Sequence, residues 1–267
     1  MIGLRRASVP RRLRRGELNK TVHMKKHLPN LLTLMNLACG TVAIVFTIEG
    51  QWQWAVYLVL AASLFDFLDG FAARMLRASS ETGKQLDSLA DMVTFGVLPG
   101  VFIYTIFKTL FLNQVEGSIS LNQTLQWIML GSVLVVPAFS AIRLARFNVR
   151  EPEGPFFQGL PTPAHALFWT GLFWQFMQDG LLFGTVLNIF FIWAIMLIMA
   201  FHMILPVPMY TLKFEHFRLR GNLIRYILIV VSVPLLLFTG LSGLSLVILT
   251  YILLSLMNLL LQSRVSR

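Results

Sequence analysis

The chain has 267 residues, of which 56% are apolar and only 13% charged, about half the charged fraction of an ordinary soluble domain. A mean hydropathy of +0.71, with 22 Phe, 12 Met and 6 Trp, is more apolar surface than a soluble core of this length can hide, so a water-soluble enzyme is excluded and lipid is the expected solvent. The single cysteine, Cys39, excludes a disulfide framework and a cysteine zinc site.

In chain order, residues 1–27 come first and hold nine of the 22 Lys and Arg. No apolar stretch precedes this basic run and no small-residue cleavage site follows it, so it does not read as a secretory signal peptide. It has a weak likeness to a transit peptide, but the favoured reading is a basic cytoplasmic tail lying on anionic lipid. With so much of the +10 net charge gathered there, no nucleic acid partner is expected.

Apolar runs then follow at 29–49, 53–76, 86–111, 125–146, 162–178, 181–205, 222–239 and 243–262, each close to the ~20 residues that one crossing needs. The least certain boundary is Gln178-Asp179-Gly180, since little else interrupts the run from Ala164 to Leu205, whose 42 residues are two crossings rather than one. Pro99, Pro137 and the Pro206/Pro208 pair are expected to kink helices. The last two runs carry no charge between Tyr226 and Gln262 and read as scaffold or as the surface of a homodimer. The fold class expected is therefore an all-α integral membrane protein of about eight transmembrane helices.

Short loops rich in Lys and Arg stay cytoplasmic. An N-terminus inside puts Arg74, Arg77 and Lys84; Arg143, Arg146 and Arg150; Lys213, Arg218, Arg220 and Arg225; and Arg264 with Arg267 on one side, 21 of the 22 basic residues once the first nine are added, with only Lys108 near the other face. An odd number of spans would scramble this pattern, so both termini are expected to be cytoplasmic.

Twelve residues are acidic, and Asp66, Asp69, Asp87 and Asp91 are the four that fall within or at the cytoplasmic ends of apolar runs. An acid there is expensive unless paired or metal-bound, so it marks function by default. With Asp66 at 0° on a helix, Asp69 lies at about −60°, Gly70 at about 40°, Ala73 at about −20° and Arg74 at about 80°, all in one stripe. Asp87 and Asp91 are about 40° apart, with Gly83 one turn earlier on the same side. The short polar turn at 77–85 makes the two helices antiparallel neighbours, so their acidic stripes face each other at the cytoplasmic ends of helices 2 and 3.

Bare carboxylates at that density would repel one another and take up protons, whereas hard divalent cations would neutralise them, and two Mg2+ or Mn2+ ions are the natural occupants. Gly70, Ala73 and Gly83 clear side-chain bulk beside the acids and Arg74 offers a bidentate contact to an oxyanion, so a diphosphate fits. The same residues can also be read as a cation or proton transporter pathway with small residues for helix packing. A transporter would spread its ionisable groups over several depths, whereas here they collect at one level.

The pattern Asp66-x2-Asp69-Gly70-x2-Ala73-Arg74-x8-Gly83-x3-Asp87-x3-Asp91 resembles the complete signature of the CDP-alcohol phosphotransferase family. The resemblance implies a membrane enzyme that moves a phosphoryl-bearing group from a cytidine diphosphate donor to a hydroxyl and releases CMP. It implies that Asp66, Asp69, Asp87 and Asp91 ligate two metals, that Asp91 is also the proton acceptor, and that Gly70, Arg74 and Ser80 hold the nucleotide diphosphate.

Four further segments narrow the likeness: Leu28-Pro29-Asn30-Leu31-Leu32-Thr33 through Asn36-Leu37-Ala38-Cys39-Gly40; Asp87 to Asp91 running into Phe95-Gly96-Val97-Leu98-Pro99; Arg143-Leu144-Ala145-Arg146-Phe147-Asn148; and Gly159-Leu160-Pro161-Thr162-Pro163-Ala164. Together they resemble the membrane-embedded bacterial phosphatidylserine synthases, with looser similarity through Leu205-Pro206-Val207-Pro208. Phosphatidylglycerophosphate synthases typically carry Arg where Asn36 stands and Lys where Met92 stands, so both positions depart from that branch.

The expectation is then transfer of a phosphatidyl group from CDP-diacylglycerol to L-serine in the cell (inner) membrane, with the active site facing the cytoplasm. Asn30, Thr33, Gly70, Ala73, Arg74, Ser80 and Gly83 are the candidates for binding CDP-diacylglycerol. Arg143 and Arg146, three apart on one helix face, are candidates for the serine carboxylate, with topological anchoring as the rival reading. Glycerol phosphate or inositol phosphate is the alternative acceptor. His165 and His202 are expected to be hydrogen-bonded core residues. In domain terms, residues 1–27 are the tail and residues 28–267 one polytopic catalytic domain, with the signature at 66–91.

Overall fold

The computed structural model describes residues 11–78, 80–112, 121–149, 156–179, 185–210 and 222–265. The first ten residues of the tail, Arg150, Lys213, Arg218, Arg220 and Arg267, all used in the orientation argument, lie outside the described residues, as does most of the loop at 112–124.

The helices are α1 (Arg11–Ile48), α2 (Trp52–Met75), α3 (Glu81–Asp91), α4 (Leu98–Leu112), α5 (Gln123–Ser132), α6 (Val135–Val149), α7 (Thr162–Asp179), α8 (Thr185–Ile204), α9 (Leu223–Thr239) and α10 (Gly243–Val265). Met92–Val97 forms a π-helical turn that joins α3 to α4, and a 3-10 turn at Gly240–Ser242 joins α9 to α10. The molecule is thus almost entirely helical, as an apolar chain in lipid must be to satisfy its backbone polar groups internally.

Each predicted span coincides with a helix or with two helices in series. Among the described residues, five stretches are long and apolar enough to cross a membrane: His27–Ile48, Trp52–Met75, Glu81–Leu112, Gln123–Val149 and Leu223–Leu259, the last of which takes in both α9 and α10. The predicted spans at 162–178 and 181–205 are not among the five. Helix α7 is diluted by Thr162, His165, Thr170, Gln175 and Gln178, and the described apolar part of α8 is the shorter Ile189–Ile204. Helix α1 begins at Arg11 rather than near 29, so the second half of the basic tail continues the first helix.

Proline accounts for one departure from the expected elements. The predicted span at 125–146 is two helices, broken at Val133 and Leu134. Pro137 cannot donate to the Val133 carbonyl and its ring would strike it, so that carbonyl accepts from Val136 N at 3.0 Å, one residue early. Pro206 and Pro208 do not kink a helix. They follow the end of α8 and lead into β2 (Pro208–Tyr210), which pairs antiparallel with β1 (Phe156–Gln158) in the register Phe157 to Met209. This small sheet is unannounced by the helical periodicity of its surroundings.

Helices α1 and α2 run side by side as a hairpin closed at Gly50, whose φ of 75° favours glycine. Helix α7 is the hub, packed against α2, α4, α6, α8, α10 and the π turn. Its Trp169 and Phe173 are wholly buried, Phe173 stacks on Phe102 with centroids 4.2 Å apart, and the Ser245 hydroxyl of α10 donates to the Phe168 carbonyl at 2.8 Å. The outward face of α9 is apolar, with Leu237 and Phe238 78% and 89% exposed, a surface suited to lipid rather than to water.

Helix α1 packs tightly on the π turn at Gly40, where a Cβ would lie 2.1 Å from Thr94 Oγ1. Gly40→Ala is expected to destabilise the protein by about 1–3 kcal/mol through overpacking, read as a lower midpoint of thermal unfolding in detergent. Adding Thr94→Ala should recover part of that loss. A midpoint unchanged by Gly40→Ala would refute this packing.

Candidate metal and nucleotide site

The first half of the site is the end of α2. Asp66, Asp69, Gly70, Ala73 and Arg74 occupy its last three turns, on the stripe that helical arithmetic predicts. The Arg74 guanidinium folds back over Gly70, where a Cβ would sit 3.5 Å from Nη1. Bare backbone is thereby left beneath a cation, next to the acids.

The second half is α3, which Ser80 begins as N-cap by accepting a hydrogen bond from Gly83 N at 3.1 Å. A Cβ on Gly83 would come within 3.0 Å of Ser80 Oγ and 3.1 Å of Asn30 Oδ1. Asn30 of α1 is thus brought to Ser80 and Gly83, all three expected to bind one ligand.

The two stripes converge. Asp66, Asp69 and Asp87 each present a carboxylate oxygen within 4.8 Å of the others. Asp91 completes the group, within hydrogen-bonding reach of Asp66 and inside the electrostatic field of all three. Asp87 Oδ1 is buried without a hydrogen-bond partner. Four carboxyl groups with an orphaned oxygen among them could hold cations, and an all-oxygen donor set suits hard divalent ions. The residues present therefore fit the two Mg2+ or Mn2+ ions that the sequence pattern suggests.

Helix α1 supports the acids from the side, a contribution the arithmetic on α2 and α3 could not supply. Thr33 Oγ1 lies 2.7 Å from Asp69 Oδ2 and 3.0 Å from the Pro29 carbonyl oxygen, both acceptors for its one proton. Asn36 Nδ2 donates to Asp91 Oδ1 at 3.3 Å, and the Thr94 hydroxyl donates to the Asn36 carbonyl at 3.2 Å. A usable signal existed in the sequence, because 33, 36 and 40 are spaced as one helix face. Thr33, one of the residues expected at the CDP-diacylglycerol site, is thus in contact with Asp69.

The structure sends the two arginines of α6 in different directions. Arg143 turns inward, donates from Nη1 to Thr162 Oγ1 at 3.3 Å, and lies in electrostatic reach of Asp91 and Tyr251. Arg146 is exposed and donates to the Ile204 carbonyl at 3.1 Å, tying α6 to the free carbonyls that end α8. It is not brought to the acids. Asn148 and Lys84 tie α6 to α3: Lys84 Nζ donates to the Asn148 carbonyl at 2.9 Å and Asn148 Nδ2 to Ser88 Oγ at 2.8 Å.

A family model described as CDP-alcohol phosphatidyltransferase matches residues 26–205, which contain every residue of the site. A CDP-diacylglycerol–serine O-phosphatidyltransferase of Mycobacterium leprae (strain TN) is 35% identical over 160 residues, 57% of this chain and 48% of that protein. One from Bacillus subtilis (strain 168) is 34% identical over 137 residues, 51% of this chain and 70% of that protein. An archaetidylserine synthase of Methanothermobacter thermautotrophicus is 35% identical over 142 residues, 52% of this chain and 54% of that protein. The chain spans about half the length of the first of these relatives.

Proposed function

We propose, because the chain belongs to the CDP-alcohol phosphatidyltransferase family, that it transfers the phosphatidyl group of CDP-diacylglycerol to the hydroxyl of L-serine, giving phosphatidylserine and CMP. The observation that carries this reading is the convergence of Asp66, Asp69 and Asp87 within 4.8 Å of one another, beside an Asp91 held by Asn36. Serine as acceptor is supported by the names of the relatives and by Arg143, a cation in electrostatic reach of Asp91 where a small anionic acceptor would stand.

Asp66, Asp69, Asp87 and Asp91 would hold two divalent cations, which supply charge neutralisation for the diphosphate and for the departing CMP. Arg74 and the bare backbone at Gly70 and Ala73 bind the diphosphate, while Asn30, Ser80 and Gly83 hold the nucleotide end. Thr33 fixes Asp69, and Asn36 orients Asp91, the proton acceptor. The serine hydroxyl attacks the phosphorus nearest the lipid, its proton passes to Asp91, and the bond to the CMP oxygen breaks. Arg143 holds the serine carboxylate through charge-assisted hydrogen bonds.

The topology that fits this chemistry is eight spans with both termini cytoplasmic in the inner membrane, the acids at the cytoplasmic ends of the second and third. It is supported by the one-sided distribution of Lys and Arg. Gathering the acids at one level favours the enzyme over a cation or proton transporter.

The purified protein in lipid nanodiscs, given radiolabelled serine, CDP-diacylglycerol and Mg2+ or Mn2+, is expected to form labelled phosphatidylserine and CMP in equal amounts. Release of CMP with glycerol phosphate or inositol phosphate, and none with serine, would overturn the choice of acceptor.

A further inference from the structure

Outside the carboxylates, Asn36 Oδ1, Arg143 Nε and His165 Nδ1 are each buried with no hydrogen-bond partner. Each one's chemical character is set by what the rest of its side chain does. Asn36 spends its amide nitrogen on Asp91 Oδ1, so its orphan is the carbonyl oxygen, an acceptor. Arg143 spends Nη1 on Thr162, and its orphan Nε–H is a donor. His165, wholly buried in the first turn of α7, accepts from Trp169 Nε1 at 3.1 Å through Nε2. Its neutral ring therefore carries the proton on Nδ1, a second donor.

These groups are neighbours. The Arg143 charge reaches both Asp91 and His165, and Thr162, the hydrogen-bond partner of Arg143, precedes His165 by one helical turn. Leaving a buried donor or acceptor unmet is costly, and three on residues linked in turn from Asp91 through Arg143 call for a ligand that meets them together. Two donors beside one acceptor, with a proton-accepting acid among them, complement a molecule that bears a carboxylate, an ammonium group and a hydroxyl.

We propose that His165 and Asn36 complete, with Arg143, an acceptor subsite that reads the α-amino acid zwitterion. Arg143 Nε–H and His165 Nδ1–H bind the carboxylate, and Asn36 Oδ1 accepts from the ammonium group. This leaves the hydroxyl toward Asp91. His165 is thus a specificity-determining residue and not a core histidine with all its polar groups satisfied. The inference rests on the serine reading above.

The test uses the full chain in nanodiscs with CDP-diacylglycerol and two acceptors, L-serine and serinol, the second keeping the amine and hydroxyls but replacing the carboxylate by CH2OH. His165→Leu is expected to raise the serine KM about tenfold or more, the worth of one charge-assisted hydrogen bond. The KM values for serinol and for CDP-diacylglycerol should stay within about twofold. His165→Asn, whose amide nitrogen can take the Nδ1 position, should restore the serine KM to near the wild-type value, whereas His165→Gln, whose amide lies nearer the Nε2 position, should not. The Asn and Gln comparison stands by itself if the Leu variant does not fold. An unchanged serine KM, or equal rises for serine and serinol, would overturn the subsite while leaving serine as the acceptor. Wild-type protein that transfers nothing to serine would overturn the serine reading and the subsite with it.

Discussion

Asn in place of Asp66, Asp69 or Asp87 is expected to abolish phosphatidyl transfer while leaving a folded, membrane-inserted protein. Removing one carboxylate from a site whose three oxygens lie within 4.8 Å weakens the hold on the cations, and loss of a ligand costs more than the 10–100-fold that follows disturbance of a ligand's own partners. The neighbours tolerate the change. Thr33 can still donate to the amide oxygen at position 69, and Asp87 Oδ1 loses no hydrogen bond because it makes none. With EDTA present, each variant should therefore unfold at or above the wild-type temperature, since one of several mutually repelling charges is gone. Rates above about a tenth of wild type in all three variants at saturating Mg2+ or Mn2+ would refute the metal site.

A second large effect is expected at Asp91, and it should differ in kind from that at Arg143. Asp91→Asn preserves shape, since its amide oxygen can still accept from Asn36 Nδ2. Loss of the proton acceptor alone should lower kcat about 100-fold or more, with binding of CDP-diacylglycerol retained because the other three acids and Arg74 remain. Arg143→Ala should instead raise the serine KM by a factor that corresponds to about 2 kcal/mol, a charge-assisted hydrogen bond lost from the ground state, with the lipid KM unchanged. Arg146→Ala provides the control. Its partner is the Ile204 carbonyl, so it should affect stability and leave the serine KM alone. A parallel rise in the lipid KM of Arg143→Ala would reassign that residue to the diphosphate.

Reading the chain as sequence recovers whatever depends on near neighbours along it. Lipid as solvent follows from composition, and the helices follow from apolar runs cut by Gly, Pro and polar turns. The α2 stripe of Asp66, Asp69, Gly70, Ala73 and Arg74 and the α3 stripe of Gly83, Asp87 and Asp91 follow from a rotation of about 100° per residue, which covalent geometry and the backbone hydrogen bond impose on any helix. A turn of a few residues between two such helices makes them neighbours, so even the meeting of Asp66, Asp69 and Asp87 was legible before any tertiary contact was known.

Residues whose partners lie far along the chain behave in ways that their local sequence does not announce. Arg143 and Arg146 share a helix face by arithmetic, yet one meets Thr162 on α7 and the other Ile204 on α8, because α6 packs against both helices. Asn36 becomes the partner of Asp91 only because Gly40 lets α1 close on the π turn at Thr94. His165 is the buried, hydrogen-bonded histidine that the sequence suggests, but its nearness to Arg143 is set by the packing of α6 on α7. The β1–β2 pairing joins segments some fifty residues apart. Helical rotation is fixed by bonds within one turn, whereas the choice of partner depends on how apolar faces interlock across the whole bundle, and no local period encodes that.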